Sequence, residues 1–550
     1  MYLLENPVLQ RELLVNLRMK RAFILLFIYQ IVLASVVYFA WPKQVRLEAN
    51  ADQAQSLVNM FFLGQYILAS LMAPSFAAAA ITGEKERKTY EMLLASPLKP
   101  TAITLGKLFS SLAHLALLIF ASLPIVMLCL PLGGVSFYEV LAAYLGLFLS
   151  VITFGMISIA CSSYFSRTSA SLVASYLLIL PLAILAILTW MSLEGQGETR
   201  LILTASVLPI VCASACLVLF LNTSARLLHP PDVGSEGKEV VDLDDEAQHV
   251  VGLVIQRDQF PDRLFAPPKR EDLMPDNTNP VYDKEIHSEI FSQGTLMLRL
   301  VIQISMFLAI PIMAGCLFMY PQRAAWYIGY VVIFNMLVGP VFSAGSITSE
   351  RERQTLDLLL TTTLKPWTIL LGKLIAGLRI SSVLTLFLVW PLFLASLMVT
   401  FYWQNLLAVG AYMGIILMSC LTTGMIGLFC SVLFQKTSTS LMTTYVIIAL
   451  LFCAPLAITA FAKTFGNRSG LDLDSAQIIA VTSPFAAAFS VPLNAESVRV
   501  NWNNDAVETP VFKPSWFSWG SYTIFTAVLN AYLLAAMIRL FRTRWRVAQS

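Results

Sequence analysis

Ile81-Thr82-Gly83-Glu84-Lys85-Glu86-Arg87-Lys88-Thr89 returns in this 550-residue chain as Ile347-Thr348-Ser349-Glu350-Arg351-Glu352-Arg353-Gln354-Thr355. From Ile81–Leu108 to Ile347–Leu374, 16 of 28 positions are identical without a gap. The likeness extends outward. Asn6-Pro7-Val8, ending in Arg11-Glu12, recurs as Asn279-Pro280-Val281, ending in Lys284-Glu285. Gly155-Met156-Ile157 recurs as Gly424-Met425-Ile426, and Phe165-Ser166-Arg167-Thr168-Ser169 as Phe434-Gln435-Lys436-Thr437-Ser438. The chain is an internal duplication.

What is duplicated lives in a membrane. The chain is 57% hydrophobic and 13% charged, where soluble domains hold roughly 45–50% apolar and about 25% charged residues. A membrane-crossing helix needs about 20 mainly apolar residues. Twelve stretches qualify, near 22–41, 58–81, 103–131, 137–164, 169–190, 201–224, 296–319, 325–347, 368–398, 403–433, 438–461 and 517–540. Pro124 and Pro391 predict kinks in the third and ninth. Six spans per half is an even number, so both copies share one orientation, as parallel repeats about the membrane normal. The expected fold is therefore an all-α membrane protein of twelve transmembrane helices in two parallel six-helix repeats. Residues 1–228 form the first half and 279–550 the second. Between them, 229–278 reads as an acidic, Pro-rich linker, and 463–515 as an outer segment of the second half.

Charge sets the expected topology. Residues 231–290 hold 15 acids and 6 bases, hidden inside a near-balanced total of 33 acids and 36 bases. Arg11, Arg18, Lys20, Arg21, Lys85, Arg87, Lys88, Arg351, Arg353, Arg542, Arg544 and Arg546 crowd one set of helix ends. By the positive-inside rule both termini are cytoplasmic, which sets Trp41, Trp190, Trp326, Trp403 and Trp516 at the outer interface. No cleavable signal peptide is expected at the amino end. The eight cysteines lie in apolar runs and read as packing residues.

Polar side chains inside spans are costly and worth scrutiny. His114 and Arg379 occupy near-equivalent sites in the third and ninth spans, and Gln65 and Asn335 also belong inside the bundle. These four either pack or snorkel, or line a substrate path. The spans carry no deep Asp or Glu, which argues against a proton relay, and no catalytic constellation. Gly106-Lys107 and Gly372-Lys373 lack the remainder of a phosphate-binding loop, so their lysines are expected to snorkel.

The repeated charged segment itself predicts a short helix after the second span of each half. Ser349 with Glu352 fits a capping box, Gly83 with Glu86 a weaker one, and Pro100 and Pro366 stop the helix. Tyr90, Leu93 and Leu94, like Leu356, Leu359 and Leu360, share one apolar face. The expectation is one amphipathic rod of about 12 residues, about 18 Å long, at the membrane surface. Two matched rods suit a twofold partner.

The pattern E-[KR]-E-R-x-T-x-[ED]-x-L-L, followed by [ST]-x-L-K-P, I and L-G-K, resembles the ABC-2 type permeases of ATP-binding cassette transporters. The resemblance covers both halves, here fused in one chain. It implies an ABC-2 exporter-type fold with interfacial connecting helices at Glu5–Arg21 and Thr278–Ile290. It also implies coupling helices seated in ATPase clefts, and an outer S-P-[FY] element at Ser483-Pro484-Phe485. The residues it assigns to ATPase coupling are Glu84, Glu86, Arg87, Thr89, Glu91, Glu350, Glu352, Arg353, Thr355 and Asp357. The chain would bind no cofactor itself and be no enzyme, with ATP and Mg carried by a separate homodimeric or heterodimeric ATPase. The other expected partners are the bilayer and an extracytoplasmic protein, with no nucleic acid. The bacterial cytoplasmic membrane is the expected location. The alternative is an ABC-type mechanotransmitting scaffold that moves an outer partner without transporting solute.

Overall fold

The computed structural model describes residues 7–17, 51–86, 88–127, 136–165, 168–192, 197–228, 279–287, 309–352, 354–469, 473–493 and 514–549, with scattered positions in 27–38 and 303–307. No strand occurs among them. In the first half the elements used below are α1 (Pro7–Leu17), α2 (Ala51–Ala77), α3 (Ala79–Glu86), α4 (Tyr90–Leu94), α5 (Pro100–Met127), α6 (Phe137–Tyr164), α7 (Thr168–Ser192) and α8 (Leu208–Leu228). In the second they are α9 (Pro280–His287), α10 (Ala324–Ala344), α11 (Thr348–Glu352), α12 (Leu356–Leu360), α13 (Pro366–Met398), α14 (Leu406–Leu433), α15 (Thr437–Phe452), α16 (Ala454–Ser469), α17 (Leu473–Ala480), α18 (Pro484–Ser490) and α19 (Trp516–Gln549).

Among the described residues, ten helices are long and apolar enough to cross a membrane. The first expected span, 22–41, and the start of the seventh, 296–319, fall largely outside them. Of the seventh, an apolar helix Ala309–Met319 is described. The linker 229–278 and residues 494–513 of the outer segment also lie outside. Pro124 and Pro391 sit within the continuous helices α5 and α13. A π turn at Leu203–Val207 leads into α8.

Local chemistry sets the helix starts. Ser136 Oγ accepts from the Glu139 N–H while the Glu139 carboxylate accepts from the Ser136 N–H, a reciprocal cap that starts α6. Pro100 and Pro366 open α5 and α13, where the missing N–H would have had no helical partner anyway. Packing inside each half repeats too. A Cβ on Gly155 would lie 2.6 Å from Leu112 Cδ1, and one on Gly424 2.8 Å from Leu378 Cδ2. These glycines let the third and fourth spans of each half approach closely. The halves meet through α2 against α15 and α7 against α10. One buried core there mixes Leu71, Leu172 and Tyr176 with Leu337, Leu441 and Tyr445.

Two local expectations are corrected. The rod after the second span is not one helix: α3 ends at Glu86 and α11 at Glu352, and one-turn helices α4 and α12 follow separately. The break is at Lys88 (φ 57°) and Gln354 (φ 60°), left-handed backbone at matched positions. The capping boxes expected from Gly83–Glu86 and Ser349–Glu352 are also not formed. Ser349 is already inside a helical turn, its N–H bonding to the Gly345 carbonyl. Both glutamates serve other helices instead, as described below.

Two stability predictions follow from this geometry. Gly424→Leu forces a side chain into Leu378 and should cost about 1–3 kcal/mol, whereas Gly64→Leu, which meets nothing within 4 Å, should be near neutral. Equal melting of both variants in detergent would contradict the close approach. Gln354→Gly should be tolerated, while Gln354→Val should lose about 1–3 kcal/mol to backbone strain.

Candidate functional site

The charged residues of the repeat converge at one end of the bundle, each on a different neighbour. Lys373, buried near the start of α13, lies 2.7 Å from Glu285 of α9 and 3.3 Å from Glu350 of α11, and donates to the Ser346 carbonyl at 2.9 Å. Lys284 adds a second cation, 3.2 Å from Glu350. In the first half the same part is played by Lys107, paired with Glu12 of α1 and, at 2.9 Å, with Glu84 of α3. The expectation that these lysines snorkel is therefore corrected. They are 3% and 2% exposed, because each has two carboxylates to neutralise it inside the protein. Close packing supports the arrangement, since a Cβ on Gly372 would lie 2.9 Å from Asn279 Nδ2.

The middle residue of the motif is a cation and sits at a helix carboxyl end. Lys85 Nζ donates to the Ser163 and Phe165 carbonyls at 2.8 and 3.0 Å, where α6 finishes. Arg351 donates to the Val432 carbonyl at 2.7 Å and to that of Phe434, where α14 finishes. The third residue is an anion and sits at a helix amino end. Glu86 Oε1 accepts from the Thr168 N–H at 2.9 Å and from its hydroxyl at 3.1 Å. Glu352 accepts from the Thr437 N–H at 3.2 Å and from its hydroxyl at 2.7 Å. The signs match the partial charges that unsatisfied carbonyls and N–H groups leave at helix ends.

Hydroxyls complete the site. Ser162 Oγ accepts from the Ile81 and Thr82 N–H groups, and Ser431 Oγ from those of Ile347 and Thr348. Thr89 and Thr355 each donate a hydroxyl to Glu84 and Glu350, and their N–H groups bond to the carbonyls of the same residues. These bonds close the left-handed turn. Beyond it Tyr90 is buried under the Lys85 ammonium, 5.6 Å from the ring centre. Burial raises the pKa of that phenol, with the Arg226 charge pulling it back.

What remains outward is a small tip. Glu91 and Asp357 are exposed, as are Met92 (75%) and Leu358 (69%) beside them. Of the sequence-derived residues, Glu84, Glu86, Thr89, Glu350, Glu352 and Thr355 are engaged within the chain, and Glu91 and Asp357 face out. Arg87 and Arg353 lie outside the described residues. Glu12, Glu285, Ser162, Ser431, Thr168 and Thr437 were not singled out for this site. Glu12 with Glu285 and Thr168 with Thr437 already stand paired in the repeat, and extending it by three residues before Phe165 and Phe434 pairs Ser162 with Ser431.

The four polar residues inside spans are not joined to one another by any hydrogen bond or ion pair. Asn335 donates to Ser419 Oγ at 3.3 Å and to the Ile416 carbonyl, and accepts from Thr385 Oγ1 at 2.5 Å. Gln65 is buried and donates to the Tyr29 hydroxyl at 2.8 Å. His114 is half-buried, its ring edge-on to Phe76 at 6.1 Å. Arg379 is half-buried.

Ten apolar spans among the described residues and a duplicated polar end define a polytopic integral membrane protein. A family model described as ABC-2 family transporter protein matches residues 232–544, and a second of the same description matches 22–227. The chain belongs to the ABC-2 transporter family and is a transporter membrane subunit with two such units in tandem. No curated protein matches it.

The charge cluster yields a direct test. Lys373→Ala leaves Glu285 and Glu350 facing each other and should destabilise the chain by about 3–5 kcal/mol. Adding Glu285→Gln and Glu350→Gln should recover much of that loss. An unchanged unfolding midpoint for the single variant in detergent would contradict the pairing.

Proposed function

We propose that this chain is the complete membrane part of an ATP-driven exporter, coupled to a separate ATPase dimer that carries ATP and Mg. The observation that supports this most is the exposed acid–apolar tip, Glu91–Met92 and Asp357–Leu358, present twice and anchored the same way each time. One tip would enter each ATPase subunit, and two such similar tips suit two copies of one ATPase. When ATP closes the dimer, the tips follow. Each tip is tied through Glu84, Lys85 and Glu86, or Glu350, Arg351 and Glu352, to its half's third, fourth and fifth spans. The pull therefore reaches the bundle instead of bending a loop.

In this reading the motif end, both termini and the linker face the cytoplasm of a bacterial cell, and the chain itself performs no catalysis. His114, Arg379, Gln65 and Asn335 are the candidates for a substrate path. A second reading is mechanotransmission to an extracytoplasmic partner. It is favoured by the extra helices α17 and α18 at the opposite end, where Ser483 just before α18 donates its hydroxyl to the Phe452 carbonyl at 2.7 Å.

The test is co-purification with the ATPase. Met92→Glu with Leu358→Glu places charge on the tips without touching the anchoring groups, and should abolish recovery of the ATPase while leaving the chain's own melting unchanged. Undiminished recovery would remove the tips from the interface. ATP-dependent solute uptake by reconstituted vesicles of the wild-type complex would separate transport from the scaffold reading.

A further inference from the structure

The two halves touch on a pair of equivalent aromatic rings that the function above does not use. Tyr176 of α7 and Tyr445 of α15 occupy the same repeat position, eight residues beyond Thr168 and Thr437. They are 2% and 1% exposed, and their ring centres are 5.0 Å apart with planes at 59°. Each hydroxyl donates at 2.6 Å to a carbonyl of its own half's second span: Tyr176 to Leu71 and Tyr445 to Leu337. Pro74 and Pro340 follow three residues on, each lacking the N–H that would have bonded the carbonyl just before, that of Ser70 and of Met336. Leu71, Leu172, Val173 and Leu180 of one half and Leu441 and Ile448 of the other pack in the same dry core.

We propose that Tyr176 and Tyr445 are the closed gate of the path between the halves. The tilted, touching rings seal the pseudo-twofold contact, and each hydroxyl latches its ring to its own half. The symmetry dictates how the gate works. Each hydroxyl keeps its bond to its own half's second span when the halves separate, so the rings part with both anchors intact. A dispersion contact of this kind is specific in geometry yet weak enough to open repeatedly. The tie to the second span also connects the gate to the charge cluster, because α3 and α11 continue from α2 and α10.

This proposal rests on the transport reading, but its test needs neither ATPase nor ATP. The full chain is reconstituted in phosphatidylcholine–phosphatidylglycerol vesicles loaded with carboxyfluorescein, and dye release is followed. The wild type should hold the dye. Tyr176→Ala with Tyr445→Ala empties the space between the halves and should release it roughly tenfold faster or more. Tyr176→Phe with Tyr445→Phe keeps the rings, loses both latches and should fall between. An alanine pair that melts and elutes like wild type yet stays equally tight would overturn the gate. If the alanine pair fails to fold, p-benzoylphenylalanine at position 176 decides: photocrosslinking to a peptide containing Tyr445 is expected, and its absence would overturn the contact. A wild-type complex that moves no solute with ATP would instead sink the transport reading and leave the seal standing.

Discussion

A buried ammonium shared by two carboxylates is the constraint from which the rest of this molecule hangs. Burying the Lys107 and Lys373 ammonium groups without partners would be costly, since desolvating one ion costs several kcal/mol. Glu12 with Glu84, and Glu285 with Glu350, meet that cost by arriving from two further elements. Each lysine therefore fixes three helices at once: the amino-terminal surface helix, the helix that leaves the second span, and the third span. Removing the lysine would leave two carboxylates facing each other with no cation between them, so all three elements depend on that one ammonium.

Around that centre the order anion–cation–anion is a set of instructions to helix ends. The first anion meets the lysine. The cation meets the carbonyls where the fourth span stops, and the second anion meets the N–H groups where the fifth begins. The motif thus stitches the third, fourth and fifth spans to a turn whose outer surface is a single acid–apolar tip. Left-handed backbone at Lys88 and Gln354 turns that tip away from the helix that carries it. Eight residues further along the fifth span, a tyrosine bonded to the second span meets its twin.

Much of this was legible in the sequence. Apolar runs mark the spans because lipid leaves a helix no alternative, and the duplication is visible in the quoted residues. The surface helices at Pro7–Leu17 and Pro280–His287 are where the Asn-Pro-Val signature set them. The partners of the charges were not legible. Glu84 and Lys107 are 23 residues apart, and Glu285 and Lys373 88, while Ser162 and Thr168 look like ordinary polar residues of a span. Periodicity read a single rod through Lys88 and Gln354, because neither residue is the glycine that usually announces a left-handed turn. Glu352 was matched to Ser349 by spacing alone, although the stronger claim on its charge came from the amino end of a helix 85 residues away.

The central claim is that each charge cluster is one cooperative lock, separate from its twin. Hydrogen exchange on the full chain in detergent tests it most directly, comparing wild type with Lys373→Gln. Protection should fall together in 280–287, 350–360 and 434–437 of the second half, while 84–94 of the first half keeps its wild-type exchange. Loss confined to one of those three segments, or spread equally into 84–94, would contradict the account.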